Sequence, residues 1–182
     1  MLGKAGGPKK FALESEAFPN VYMRCNASGF NAPSGSGGGE INCQYGPPRE
    51  WEIFYFCPVE VAPSLVPQSR ESYVVALRNV FWNSTWVRMD SQGMDRPAGP
   101  GGGQVNCQHA STEAKLWEAF TIRAQERGVS FQSLQWPNIY IRMDGGSVHQ
   151  FTGSGGGVVN CQYYNSPYDV KSWECFTCHE QN

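Results

Sequence analysis

Charge is scarce in this sequence. Only 16% of its 182 residues are Asp, Glu, Lys or Arg, where soluble domains usually carry roughly 25%. Lys and Arg number 14 and Asp and Glu 16, a formal net charge of −2. Without a basic excess there is no footprint for nucleic acid held through its phosphates, and there is no acidic tail either. Long apolar runs are missing too. Nothing approaches the roughly 20 residues that span a bilayer, so no membrane insertion is expected. Met1–Lys10 is rich in Gly and Lys and has no apolar h-region, so residues 1–10 read as a flexible leader rather than a secretory signal. The matching expectation is a cytoplasmic protein, or one released without a classical signal peptide. HExxH, GxSxG and GxxxxGK[ST] do not occur, which removes the commonest hydrolase and nucleotide-binding signatures.

What the chain does have is 40% hydrophobic and 13% aromatic residues, with 21 Gly and 12 Pro. That is a core and many turns. It also has internal repetition, which takes precedence over any local reading. Arg24, Arg88 and Arg142 recur at the same intervals as Cys43, Cys107 and Cys161, and Trp51, Trp117 and Trp173 follow each cysteine by eight to twelve residues. The copies run over about 11–57, 73–124 and 130–178, and a Pro-rich linker, 58–72, lengthens the first interval.

Each copy splits into four short segments. In the third copy these are Ser130–Leu134, Ile139–Asp144, Val158–Gln162 and Ser172–Thr177. Ile139, Ile141 and Met143 alternate with Tyr140, Arg142 and Asp144, the period of a half-buried strand. Gly, Ser and Pro separate the segments, as strand punctuation does. Thr112–Gly128 taken alone has the pattern of an amphipathic helix. The repeat register sets its LWEAFT opposite EWEIFY and SWECFT, so a strand is expected there, with room for a short helix after Ile122.

Three copies of four strands predict an all-β chain. Residues 11–182 resemble a single β-trefoil domain, twelve strands in three pseudo-threefold repeats. The ricin-type Q-x-W signature is replaced by W-E-x-F at Trp51/Glu52/Phe54, Trp117/Glu118/Phe120 and Trp173/Glu174/Phe176. A Gly-rich loop followed by [VI]NCQ and then W-E-x-F is similar to the fascin-like and lectin-like trefoil repeats. That resemblance implies either glycan binding or a fascin-like cytoskeletal or protein-interaction role. Fold by itself does not choose between them.

Seven cysteines are an odd count. Cys43, Cys107 and Cys161 hold equivalent positions, and three symmetry-related thiols cannot all pair. They read as small buried apolar side chains, reduced in the native protein. Cys175-Phe-Thr-Cys178-His179 has the C-x-x-C-H spacing of haem attachment. The register makes Cys175 an ordinary strand position equivalent to Ile53 and Ala119, and a zinc site there lacks a fourth ligand. No cofactor and no metal ion are therefore expected, nor is an enzyme, because a catalytic centre is normally unique and this chain repeats its polar residues. The runs Gly35–Gly39, Gly99–Gly103 and Gly153–Gly157 lead into strands, not helices. They read as hairpin loops, where φ > 0 or close backbone approach is needed, and not as phosphate cradles.

Polar repetition is the functional clue. Packing explains repeated apolar residues, but not repeated outward polar ones. Asp90 and Asp144 recur, with Asn26 in their place in copy one. Asn42, Asn106 and Asn160 recur, and so do Gln44, Gln108 and Gln162, followed directly by Tyr45, His109 and Tyr163. Either these groups tie loops down, or each copy presents a shallow polar pocket with an aromatic wall, the general pattern of a ligand site. On the second reading the chain is a lectin with up to three glycan sites. The third copy is the richest, with Trp136, Asp144, Tyr163 and Tyr164. The repeated Arg and the Glu of W-E-x-F read as structural partners, and Trp51, Trp117 and Trp173 as core. Glycans or glycoconjugates are the expected partners. A homodimer would be needed for filament bundling on the fascin-like alternative.

Overall fold

The computed structural model describes residues 7–60, 73–110 and 114–182. Twelve β-strands and no α-helix occur among them. The strands are β1 (Lys10–Ser15), β2 (Val21–Asn26), β3 (Glu40–Tyr45), β4 (Ile53–Pro58), β5 (Tyr73–Asn79), β6 (Thr85–Asp90), β7 (Gln104–His109), β8 (Ala119–Ala124), β9 (Val129–Ser133), β10 (Ile139–Asp144), β11 (Val158–Tyr163) and β12 (Phe176–Gln181). Lys10, assigned to the leader from sequence, opens β1. Most of the expected linker, 61–72, lies outside the described residues, as do 1–6.

Six strands close a barrel. β1 pairs with β4, β4 with β5, β5 with β8, β8 with β9, β9 with β12, and β12 with β1, every pair antiparallel. Closure leaves no unpaired edge. Each barrel strand sends one large side chain inward: Leu13, Phe54, Leu77, Phe120, Phe131 and Phe176, all fully buried. Burial of each stabilises the fold by about 1.5–3 kcal/mol. The remaining strands form three hairpins, β2–β3, β6–β7 and β10–β11. This is the β-trefoil.

The hairpins join in a ring. Gly38 bridges to Cys107, Gly102 to Cys161, and Gly156 back to Cys43. Each bridge is reciprocal: Gly156 N–H donates to the Cys43 carbonyl at 2.8 Å, and Cys43 N–H returns to the Gly156 carbonyl at 2.9 Å. Each glycine-rich loop therefore lies on the β-hairpin of another repeat.

Two expectations fail here. No helix follows Ile122: β8 runs on to Ala124, and Gln125 N–H closes a turn onto the Gly128 carbonyl at 3.2 Å. The register, not the apolar periodicity, was the better guide. The second strand of each copy is also not half-buried. In β2, β6 and β10 both faces are covered through five of six residues. One face meets the core. The other, bearing Arg24, Arg88 or Arg142, lies under a 3₁₀ turn of its own repeat, Glu50–Glu52, Leu116–Glu118 or Ser172–Glu174.

Close loop contact requires glycine at Gly155. Its φ is +74°, and a Cβ there would stand 2.5 Å from Asn42 Oδ1 and 2.8 Å from the Cys43 carbonyl oxygen. Gly155→Ala should cost about 2–4 kcal/mol from left-handed backbone strain plus overpacking, lowering Tm by about 5–10 °C. Gly35→Ala, in the first copy's loop where a Cβ meets nothing within 4 Å, should move Tm by less than about 2 °C. Thermal denaturation of both variants checks this, and equal shifts would overturn it.

Candidate functional site

The three repeated arginines organise the surface. Arg24, Arg88 and Arg142 are almost wholly buried, so their donors must be matched. Nη1 donates to Asn42, Asn106 or Asn160 Oδ1 at 3.3, 3.4 and 3.4 Å. Nε of Arg24 and Arg142 faces Glu52 and Glu174 at 3.6 and 3.8 Å. Nη2 of Arg88 and Arg142 reaches Asp90 and Asp144 at 3.4 and 3.5 Å. Asn26 cannot supply that charge, and Arg24 Nη2 donates to the Gly153 carbonyl at 2.9 Å instead. Each guanidinium lies over an indole: Arg24 on Trp51 at 4.5 Å, Arg88 on Trp117 at 4.3 Å and Arg142 on Trp173 at 4.4 Å. The structural reading of these Arg and Glu residues fits this geometry.

The residues proposed from sequence as glycan contacts do not converge on one pocket. Asn42, Asn106 and Asn160 clamp loops: their Nδ2 groups donate to the carbonyls of Ser154, Ser36 and Pro100 at 3.1, 3.0 and 3.0 Å. Gln44, Gln108 and Gln162 accept from the backbone N–H of Thr152, Ser34 and Ala98 at 3.2, 3.2 and 3.1 Å. The face taken as outward is thus covered by a neighbouring repeat's loop, and strand alternation alone gives no sign of that cover. Asn26, Asp90 and Asp144 close turns, accepting from the N–H of Ser28, Gln92 and Gly146 at 3.1, 3.0 and 3.1 Å. Tyr45 and Tyr163 are half-buried against the core. Tyr164 is buried and donates to Glu174 Oε2 at 2.6 Å. His109 is half-buried, edge-on to Phe30 at 6.4 Å. Trp136 is half-buried and meets Trp117 edge-to-face at 4.7 Å.

Sequence reasoning misplaced the tryptophans of W-E-x-F. They are not core: Trp51 and Trp117 are half-buried, and Trp173 is 36% exposed. Each sits on a 3₁₀ turn before the strand begins, where strand parity does not apply. Three repeats meet at each one. Its own repeat supplies the arginine. The following repeat, cyclically, supplies an aromatic: Trp82 at 5.5 Å from Trp51, Trp136 at 4.7 Å from Trp117, and Phe18 at 5.2 Å from Trp173. A third repeat supplies the glycine-rich loop. The result is a shallow groove. At Trp51 it is lined by Gln44, Arg49, Glu50, Phe151 and Gly153. At Trp117 it is lined by Pro33, Ser34, Gly35, Gln108 and Lys115.

No chemistry beyond binding is set up at these grooves. No cluster of three or more His, Cys, Asp or Glu side chains among the described residues could hold a metal ion. In the C-x-x-C-H stretch, Cys175 is buried and His179 Nε2 lies 2.6 Å from Glu14 Oε2. All seven cysteines are free, and burial pushes the Cys43 and Cys161 thiols up to about 12, which suppresses the reactive thiolate.

Comparison with known proteins places the fold. No protein-family model and no curated protein matches the chain. Solved structures do. The Rhizoctonia solani agglutinin aligns with TM-score 0.61 at 11% identity, over 97% of this chain and 98% of that one. A mosquitocidal holotoxin aligns with TM-score 0.62 at 10% identity over 98% of this chain, which spans 18% of the toxin. The Polyporus squamosus lectin, solved bound to the human-type influenza-binding epitope Neu5Acα2-6Galβ1-4GlcNAc, aligns with TM-score 0.60 at 13% identity over 97% of this chain and 50% of that one. At such identities the likeness is one of fold: the chain has the trefoil that these two lectins use.

The buried glutamates carry a pH signature. Desolvation holds the Glu52, Glu118 and Glu174 carboxyls above their ordinary 4.5, against the lowering effect of backbone N–H groups and nearby cations. A carboxyl raised on folding holds its proton more tightly in the native state. Its contribution is therefore fully present below pH 4.5 and declines as pH rises through the raised native value. Glu52→Gln keeps an acceptor for the Arg49 N–H and mimics the protonated form. Denaturant unfolding should show variant and wild type converging near pH 4.5 and the variant gaining relative stability toward about pH 7. Parallel pH profiles would overturn this.

Proposed function

We propose that the protein is a non-catalytic carbohydrate-binding protein, a lectin, whose glycan sites are the grooves at Trp51, Trp117 and Trp173. One observation carries the reading. A large aromatic ring is left partly exposed three times, each time on a buried guanidinium and beside a loop of exposed backbone and small polar side chains. Saccharides present C–H faces to aromatic rings and hydroxyls to amides and carbonyls, so an indole beside polar groups is a fitting platform. The two lectins of the same fold support the reading.

The site differs from the sequence expectation. Asp90, Asp144, Asn106 and Asn160 hold the frame, and the tryptophans supply the contact. Two or three weak sites on one rigid body would act by avidity on clustered glycans.

A glycan array with the purified chain tests this. Selective binding is expected. Trp51→Ala and Trp117→Ala should each weaken binding of a monovalent ligand at their own groove about tenfold, a loss of ~1.4 kcal/mol. Asp144→Ala should lower Tm while leaving the preferred glycan unchanged. A blank array from folded protein would remove the lectin reading and favour the protein-interaction alternative. Loss of binding in Asp144→Ala without loss of stability would return the site to the aspartates.

A further inference from the structure

The three grooves are not equivalent. At the residue before each 3₁₀ turn every copy carries a cation: Arg49, Lys115 and Lys171. None of the three is within ion-pair distance of a carboxylate among the described residues. Opposite each stands the residue that begins the turn of a glycine-rich loop from another repeat. For Lys115 it is Pro33, and the equivalent residue of the second loop is Pro97. For Arg49 it is Phe151. Within one chain, then, the two Lys copies go with proline and the single Arg copy goes with an aromatic.

The pairing has a physical consequence. The Arg49 guanidinium carbon lies 4.2 Å from the centroid of the Phe151 ring. Stacking of that kind fixes the plane of the guanidinium while leaving its edge N–H groups free. Arg49 and Phe151 are both exposed, Phe151 at 44%, and both line the groove whose floor includes Trp51. The other charges of the groove are Arg24, Glu50 and Glu52. Arg24 and Glu52 are buried and neutralise each other, and Glu50 offsets the formal charge of Arg49. The groove thus has little net field with which to attract a polyanion. What it offers is a planar fork of donors beside an aromatic platform, the geometry that binds one carboxylate through two parallel hydrogen bonds.

We propose that the groove of the first repeat selects a saccharide bearing a carboxylate on its pyranose, with Arg49 as the specificity-determining residue and Phe151 as its positioning residue. This rests on the lectin reading above and narrows it for one site. Uronic and sialic acids share the required chemistry.

Calorimetric titration of the full chain with matched pairs tests it: sialyllactose against lactose, and a glucuronate-terminated disaccharide against its glucose-terminated counterpart. The wild type should bind at least one acidic member about tenfold more tightly than its neutral partner. Arg49→Lys keeps the charge and loses the fork. Phe151→Pro installs the residue found in the other two loops. Each should bring that ratio to within about threefold while leaving neutral-sugar affinity within about twofold. Lys115→Ala should leave the ratio unchanged. Equal affinity for acidic and neutral partners, or an unaltered ratio in Arg49→Lys, would overturn the assignment while neutral binding kept the lectin reading intact. Preference for a sulfated polymer with strong salt dependence would overturn it in favour of bulk charge. No binding of any saccharide would remove both readings together.

Discussion

A pair of backbone hydrogen bonds, made three times, holds the surface of this protein in place. Each glycine-rich loop exchanges N–H···O bonds with the central cysteine of another repeat's hairpin, and the third loop returns to the first repeat. The ring closes only if backbone meets backbone. That demand explains glycine on one side and a small side chain on the other. A Cβ on Gly157 would stand 2.5 Å from Cys43 Sγ, so the thiol already fills the space a larger residue would need. The cysteines are thus kept for size, and their raised pKa values follow from the same enclosure.

The loops that seal the ring also cover polar groups. Once a loop lies across the hairpin, Asn and Gln of the N-C-Q segment lose water and gain loop carbonyls and N–H groups in exchange. Burying a guanidinium beside them is the larger cost, and an uncompensated buried charge destabilises by several kcal/mol. The compensation is distributed over an amide oxygen, a glutamate, an aspartate or loop carbonyl, and the face of an indole. That last contact links frame to function. The tryptophan caps the arginine and so stands at the surface, at a junction of three repeats, with part of its ring still accessible. Grooves at these points arise from solving the burial problem and become binding platforms without further adjustment of the backbone.

The sequence showed the architecture well and the site poorly, for one physical reason. Repetition and period-two alternation in Ile139–Asp144 report on a strand and its immediate faces, and those were legible. The cover on the far face comes from residues distant in sequence, Ser154 over Asn42 and Pro100 over Asn160, and no local pattern announces it. Asn and Gln consequently read as outward ligands when they are clamps. Trp51 failed in the opposite sense. It was counted as part of a strand although it lies on a 3₁₀ turn, where the alternation that buries Phe54 does not extend. Threefold recurrence of a polar residue identifies a shared task, and here the shared task of Asn, Gln and Asp is to lock one repeat to another.

Departures from the repeat therefore say more about recognition than the repeat itself does. Whatever the ring requires is fixed in all three copies: glycine at the bridge, cysteine beneath it, arginine on the far face. Where copies differ without disturbing the ring, the frame exerts no constraint. Asn26 in place of aspartate is absorbed because the Gly153 carbonyl takes its partner's N–H. Phe151 in place of proline is absorbed because the residue projects from the loop tip and touches no bridge. Variation at such positions changes the walls of a groove and not its foundation. A trefoil built this way can alter one site at a time, since each loop tip faces a single groove and the backbone ring isolates it from the other two.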